Sequence, residues 1–268
     1  MLTVSMLGGM SFSVDGSVVK SDLGQAGRLL ACYLFEFSGR AHRRERLADL
    51  FWRDADPDKA RSALNTAIWR IRKVLELGSK GAAQHLITIG DDVLLEPSQS
   101  VRIDTHQLEI AFQRVLKATS KSFSDEETRT AYSAVDEYKG PFLDGHDDEW
   151  ILQERERIHC IFVRATFALM RDAAMRGQLE RSLDFGRRIL AVDPLRESVQ
   201  RDVMLLLVLN GQRVEAIRMY KRLVALLKSE LDIAPMPETE RLHSDIVSGK
   251  IFEQAHHLAP LQLNLSRI

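Results

Sequence analysis

Over the first twenty residues apolar and polar positions alternate. "LTVSMLGG" alternates as a strand does, and "SFSVDGSVV" reads as a short hairpin turning at Asp15-Gly16. The period then lengthens to that of helices in "GRLLACYLFEF", "RRERLADLFW" and Lys59–Glu76, with the polar links "SGRAH" and "RDADPD" between them. Alternation returns in "HLITIGDDVLLEP", two strands joined around Gly90-Asp91. Strands, three helices and a hairpin form the order of a winged helix; a βαβ domain would interleave strands with crossover helices. Beyond Pro97 and its Ser/Gln run the pattern is helical almost throughout, although "VRID" also reads as a strand returning to the first domain. The expected organisation is a winged helix-turn-helix domain over 1–100, an all-α tetratricopeptide-like repeat domain over 101–249, and a flexible tail over 250–268.

The third helix carries its own start signal, with Asp56 as N-cap, Pro57 at the first helical position and Asp58 in the first turn. At 100° per residue, Ala60, Leu64, Ala67, Ile68, Ile71 and Leu75 fall on one apolar stripe. Ser62, Asn65, Thr66, Trp69, Arg70 and Lys73 fall on the opposite side, with Arg61 and Arg72 on the flank. This outward face is nearly free of acid and offers an amide, a hydroxyl, cations and an indole. It reads in two ways: as a solvated amphipathic face, or as a face that donates to phosphates and reaches base edges in a major groove. An indole among cations, where a solvated face has little use for one, favours the second reading, as does a hairpin placed to form a wing. The acidic hairpin tip "GDD" counts against a wing contact with phosphate.

A repeat emerges in the helical half. "RGQLERSLDFGRRILAVDP" and "NGQRVEAIRMYKRLVALLK" align without gaps at an offset of 34 residues, the period of tetratricopeptide repeats. Gly177-Gln178 matches Gly211-Gln212, and Ser182 matches Ala216. Tyr220 stands where such repeats pack an aromatic against the partner helix, and is expected to fill the space beside the helix holding Leu205–Leu209. The first copy has Gly186 at that place. Each helical pair leaves an apolar side open until a neighbour stacks on it, which implies a small superhelix. "ETERLHSDIVSG" reads as a capping helix.

Composition changes this picture little. Net charge is −1, with 13 Lys or Arg against 12 Asp or Glu in residues 1–100, so a nucleic-acid partner must be argued from local clustering. The clustering exists, because Lys59, Arg61, Arg70, Arg72 and Lys73 share one helix. Cys32 and Cys160 both lie in apolar runs and read as buried free thiols of a cytoplasmic protein. No signal peptide opens the chain, and the longest apolar run, "VMLLLVL", is far short of the ~20 residues of a membrane helix. No phosphate-binding loop, dinucleotide fingerprint or nucleophile elbow is present, so no enzyme activity and no cofactor are expected. His146, Asp147, Asp148 and Glu149 are adjacent, but acids here suit the start of the helix beginning near Trp150 better than a metal site.

Three blocks, "GRAHRRERLADLFWRDADPDKARSALNTAIWRIRKVLE", "YKGPFLDGHDDEWILQERERI" and "NGQRVEAIRMYKRLVALLKSELDIAPMPETERLH", taken together resemble the bacterial transcriptional activator domain family, the regulators known as Streptomyces antibiotic regulatory proteins. Phe51-Trp52, Ala63-Leu64, Ile68-x-Arg70-Ile71-Arg72 and Leu231-x-Ile233-x-Pro235-x-Pro237 carry the likeness, which extends over residues 1 to about 248. It implies an N-terminal winged helix of the response-regulator (OmpR) type and a tetratricopeptide-like activation domain. It also implies binding to direct-repeat promoter DNA as a homodimer or tandem pair, with recruitment of RNA polymerase. Carried over, Lys59–Leu77 is the recognition helix, Asn65, Thr66, Trp69, Arg70 and Lys73 face double-stranded DNA, Arg72 contacts a phosphate, and Ile87–Leu95 is the wing. The family's wing commonly carries Gly-Tyr at its tip, where this chain has "GDDVLL". Larger relatives add an ATPase or phosphopeptide-binding domain, and neither is expected within these residues. The competing reading is a helical-repeat scaffold whose winged module binds a protein partner.

Overall fold

The structure is a computed structural model and describes residues 1–20, 22–117 and 124–251. Its contacts group into two compact units, one of Met1–Ala111 with Asp136–Ile161, the other of Phe112–Val135 with Phe162–Ile268. Residues 101–111 and 136–161 thus group with the winged portion. Most of the expected tail, including His256 and His257, lies outside the described residues.

In the first unit, β1 (Leu2–Ser5), β2 (Ser11–Val14) and β3 (Ser17–Val18) form an antiparallel meander. The β2–β3 turn is Asp15-Gly16, both at positive φ, as its hairpin geometry requires. β7 (Val101–Ile103) adds in parallel to β1, so "VRID" does return to the first domain, and the sheet order is β3-β2-β1-β7. The three helices are α1 (Gly24–Glu36), α2 (Arg44–Phe51) and α3 (Pro57–Gly78). A second sheet, β4-β6-β5, contains β4 (Ala41–Arg43) and the wing hairpin of β5 (Leu86–Ile89) and β6 (Asp92–Leu95). β4 occupies what reads as a polar link in the sequence. Its three residues have no alternation long enough to declare a strand, and only pairing with β6 makes them one.

Later segments complete this unit. Helix α4 (Asp104–Lys117) opens on Asp104, a buried carboxylate that accepts the backbone N–H groups of Met6 and Leu7 at 2.8 and 2.9 Å. The stretch before α6 (Glu149–Met175) runs alongside the end of β1. Leu143 N–H donates to Met6 carbonyl at 2.8 Å, and Gly8 N–H to that of Pro141 at 3.0 Å. Arg155 holds this stretch by donating to the carbonyls of Phe142, Leu143 and His146. Around Tyr33 stand Phe37, His42, Phe51 and Trp150, each with its ring centroid within 5.6 Å. Edge-to-face pairs of this kind contribute about 0.5–1.5 kcal/mol each beyond their buried area.

The second unit takes in α5 (Asp125–Asp136), the later part of α6, α7 (Leu179–Val192), α8 (Glu197–Leu209), α9 (Arg213–Leu231) and α10 (Pro237–Ser248). The 34-residue repeat is visible in backbone detail. Gly177 N–H donates to Ala174 and Gln178 N–H to Ala173, while Gly211 N–H donates to Val208 and Gln212 N–H to Leu207. Both are Schellman turns, with a glycine at φ 72° or 76° taking the left-handed position. Gly186 has a packing reason, since a Cβ there would stand 2.3 Å from Val203 Cγ2.

Two expectations need correction. Tyr220 is only half-buried and stacks face to face on His243 of α10, with centroids 3.8 Å apart. The buried face of α9 consists of Ala216, Met219, Leu223 and Leu227. Cys32 is buried, but Cys160 is exposed. Its run "IHCIFV" lies within α6, where Ile158, Phe162 and Val163 face inward and the helical period turns residue 160 outward.

Candidate nucleic-acid interface

Helix α3 forms where its sequence specifies. Asp56 caps it by accepting the backbone N–H of Asp58 at 3.1 Å, and Pro57 opens it. The whole expected stripe is buried, with Val74 added to it. Burying such side chains contributes about 1.5–3 kcal/mol for each large aliphatic one, enough to fix the helix's rotation. With that rotation fixed, Asn65, Thr66, Trp69 and Lys73 are exposed.

These residues are held in place. Lys73 Nζ lies 3.7 Å from the centroid of the Trp69 ring, and the indole remains 53% exposed. This cation–π contact explains how an indole stands among cations. Thr66 Oγ1 donates to Ser62 carbonyl at 3.0 Å. Arg70 is half-buried and pairs at 3.5 Å with Asp22, itself almost fully exposed. Such exposed pairs are weak, so little energy holds Arg70 away from another anion. Between the first turn of α1 and the N-terminal half of α3 runs a groove of about 540 Å³, lined among others by Gln25, Lys59, Ser62, Thr66 and Arg70.

Arg72 has a different setting from its neighbours. Its Nε and Nη2 donate to Leu86 carbonyl, and Nη2 also to Thr88 Oγ1, so it ties α3 to β5 of the wing. The wing tip is less repulsive than "GDD" suggests, because Arg43 stands 3.5 Å from Asp92. One residue of this surface escapes a reading confined to α3. Arg44, at the start of α2, donates to Asn65 Oδ1. The helix-turn-helix order places α2 next to α3 in a general way, but does not single out Arg44 as the partner of Asn65. Among the described residues no group of three or more His, Cys, Asp or Glu is placed to hold a metal ion, and no helix is long and apolar enough to cross a membrane.

The sequence model of the bacterial transcriptional activator domain matches residues 103–247, more than half of the chain. The chain belongs to this family. Within the activator-domain family it is similar to the transcriptional regulatory protein MoaR1 of Mycobacterium tuberculosis, at 25% identity over 209 residues. That alignment covers 75% of this chain and 65% of MoaR1. Similarity to the regulatory protein AfsR of Streptomyces coelicolor is 24% over 257 residues, covering 92% of this chain and 24% of AfsR. The chain therefore spans less than two thirds of these relatives. Among solved structures, Mycobacterium tuberculosis EmbR in complex with a low-affinity phosphopeptide shares the fold, with a TM-score of 0.74 at 20% identity over 92% of this chain and 65% of that one. An α+β winged-helix region followed by an all-helical, tetratricopeptide-like region is thus the architecture of this family member, as its sequence implies.

Proposed function

We propose that this chain is a sequence-specific DNA-binding regulator of transcription, an activator that binds direct-repeat promoter sites as a homodimer or tandem pair and recruits RNA polymerase. The observation that carries the reading is the outward face of α3, where Asn65, Thr66, Trp69 and Lys73 are exposed, with Arg70 beside them, on a helix whose other side is wholly committed to the core. A helix presented in this way fits the major groove, with its N-terminal residues toward base edges and its cations toward phosphates. Membership of a family described as transcriptional activators, and relatives named as regulatory proteins, support the same reading. In this reading Asn65 and Thr66 meet bases, Trp69 packs on sugar or thymine methyl, and Arg70 and Lys73 meet phosphates. Arg72 acts through the wing. Recruitment of polymerase falls to the helical unit, and the cytoplasm is where both partners are met.

The test is retention of genomic fragments by the purified protein. A small set of fragments carrying a shared direct repeat upstream of genes is expected, and a promoter from that set should drive a reporter more strongly when the protein is present. Retention with no shared sequence, or a reporter that falls, contradicts specific activation.

A further inference from the structure

Arg44 is the first residue of α2, and its place is set by the wing. Its backbone N–H donates to the carbonyl of Asp91 at 2.8 Å, while the adjacent Arg43 pairs with Asp92. From there its Nη2 reaches the side-chain amide of Asn65. A guanidinium has only donors, so the amide atom turned toward it must be the oxygen. Asn65 is exposed, and what it presents beyond the pair is its NH₂ group, with a cation standing at its carbonyl.

Asparagine recognises adenine with both ends of its amide, donating to N7 and accepting from the N6 amino group. Here the accepting end is bonded to Arg44. Its second lone pair lies beside a full positive charge, which opposes the approach of an amino group that brings its own hydrogens. Guanine sets two acceptors, N7 and O6, on the same edge of the major groove. The Arg44–Asn65 pair is a donor-only surface that matches them.

We infer that Asn65, with its acceptor occupied by Arg44, reads guanine rather than adenine, so that Arg44 on α2 sets the base preference of a residue on α3. The inference rests on the DNA-binding reading above and deepens it by naming the base.

The experiment selects duplexes from a random pool with the full chain, then repeats the selection with Asn65→Ala to find the position that Asn65 reads. Guanine is expected there in the wild-type selection, preferred over adenine by roughly tenfold in titration of single duplexes. Replacing that guanine by 7-deazaguanine, which lacks N7, should weaken binding severalfold. Arg44→Met frees the amide oxygen, so the preference at that position should move to adenine, while Arg44→Lys should keep guanine. Adenine at that position in the wild type overturns the inference, as does an Asn65→Ala selection identical to the wild type. A folded Arg44→Met protein that still prefers guanine also overturns it. If Arg44→Met does not fold, the wild-type base preference and the 7-deazaguanine duplex decide alone. A pool from which nothing is enriched overturns the DNA-binding reading and this inference together, whereas an enriched operator with adenine at the Asn65 position overturns this inference only.

Discussion

Arg72 donates from both Nε and Nη2 to a single carbonyl oxygen, that of Leu86, at 3.2 and 2.9 Å. With the further bond from Nη2 to Thr88, α3 grips the first strand of the wing hairpin. Hydrogen bonds from a charged donor contribute about 1.5–3 kcal/mol, so the orientation of the hairpin depends on this side chain. A phosphate contact and a strut for the wing differ in one measurable respect. Removing a phosphate contact lowers the slope of log affinity against log salt by roughly 0.9. We expect Arg72→Ala to weaken operator binding with the slope unchanged, and to speed hydrogen exchange in β5 and β6. A slope reduced by about one, with exchange unaltered, would restore the phosphate role that family resemblance implies.

Gly186 bears on the helical unit. Val203 is buried and its Cγ2 would stand 2.3 Å from a Cβ at position 186, with Met170 Sδ next at 3.3 Å. Gly186→Ala should therefore destabilise the repeat by about 1–3 kcal/mol, the usual cost of overpacking, although alanine favours helix by ~1 kcal/mol. Adding Val203→Ala should recover part of the loss, leaving the pair less than additive. Thermal melts of the single and double variants check this. A Gly186→Ala protein as stable as the wild type would mean that α7 and α8 separate easily.

Glu36, at the end of α1, supplies a pH dependence. Its carboxylate is buried, accepts from Thr105 Oγ1 at 2.6 Å and pairs with Arg157 at 2.8 Å. Burial nevertheless dominates and pushes it up to about 7, with Thr105, His106 and Arg157 opposing and Glu109 assisting. The same guanidinium also pairs with Glu109 and Glu154, so one cation serves three carboxylates. A carboxyl whose affinity for protons is higher folded than unfolded stabilises the fold most at low pH. That contribution is lost as pH rises through about 7. Between roughly pH 4.5 and 7, the melting temperature should therefore carry a component that falls with pH, and Glu36→Gln should remove it. A dependence identical in wild type and Glu36→Gln would show that the carboxylate is ionised throughout.

Much of this fold is legible in the sequence because the local signals agree with one another. The Asp56-Pro57 start and the burial stripe of α3 specify a helix and its rotation together, and the Gly-Gln turns 34 residues apart specify the repeat. What escapes is set by tertiary contact. The strand character of Ala41–Arg43 exists only through pairing with β6, and the face-to-face stacking of Tyr220 on His243 depends on a helix further along the chain. Within the site, the outward face of α3 follows from periodicity, but the partners of its residues do not. Arg72 lies on the flank of the helical wheel, and only the position of β5 decides that it serves the wing. Arg44 is remote from Asn65 in the chain, and no spacing rule links an arginine opening one helix to an asparagine on the next.

The most direct measurement of whether α3 meets DNA is the salt dependence of affinity for a retained promoter fragment, compared between the wild type and the Arg70→Ala/Lys73→Ala double variant. Both cations belong to the outward side of α3, one paired with an exposed aspartate and the other resting on Trp69. If each neutralises a phosphate, the double variant should bind more weakly at every salt concentration, and its slope of log affinity against log salt should be shallower by about 1.8. Its circular dichroism and melting temperature should match the wild type. Affinity and slope unchanged in a folded double variant would contradict the assignment of this face to DNA, and would favour a winged module that serves a protein partner.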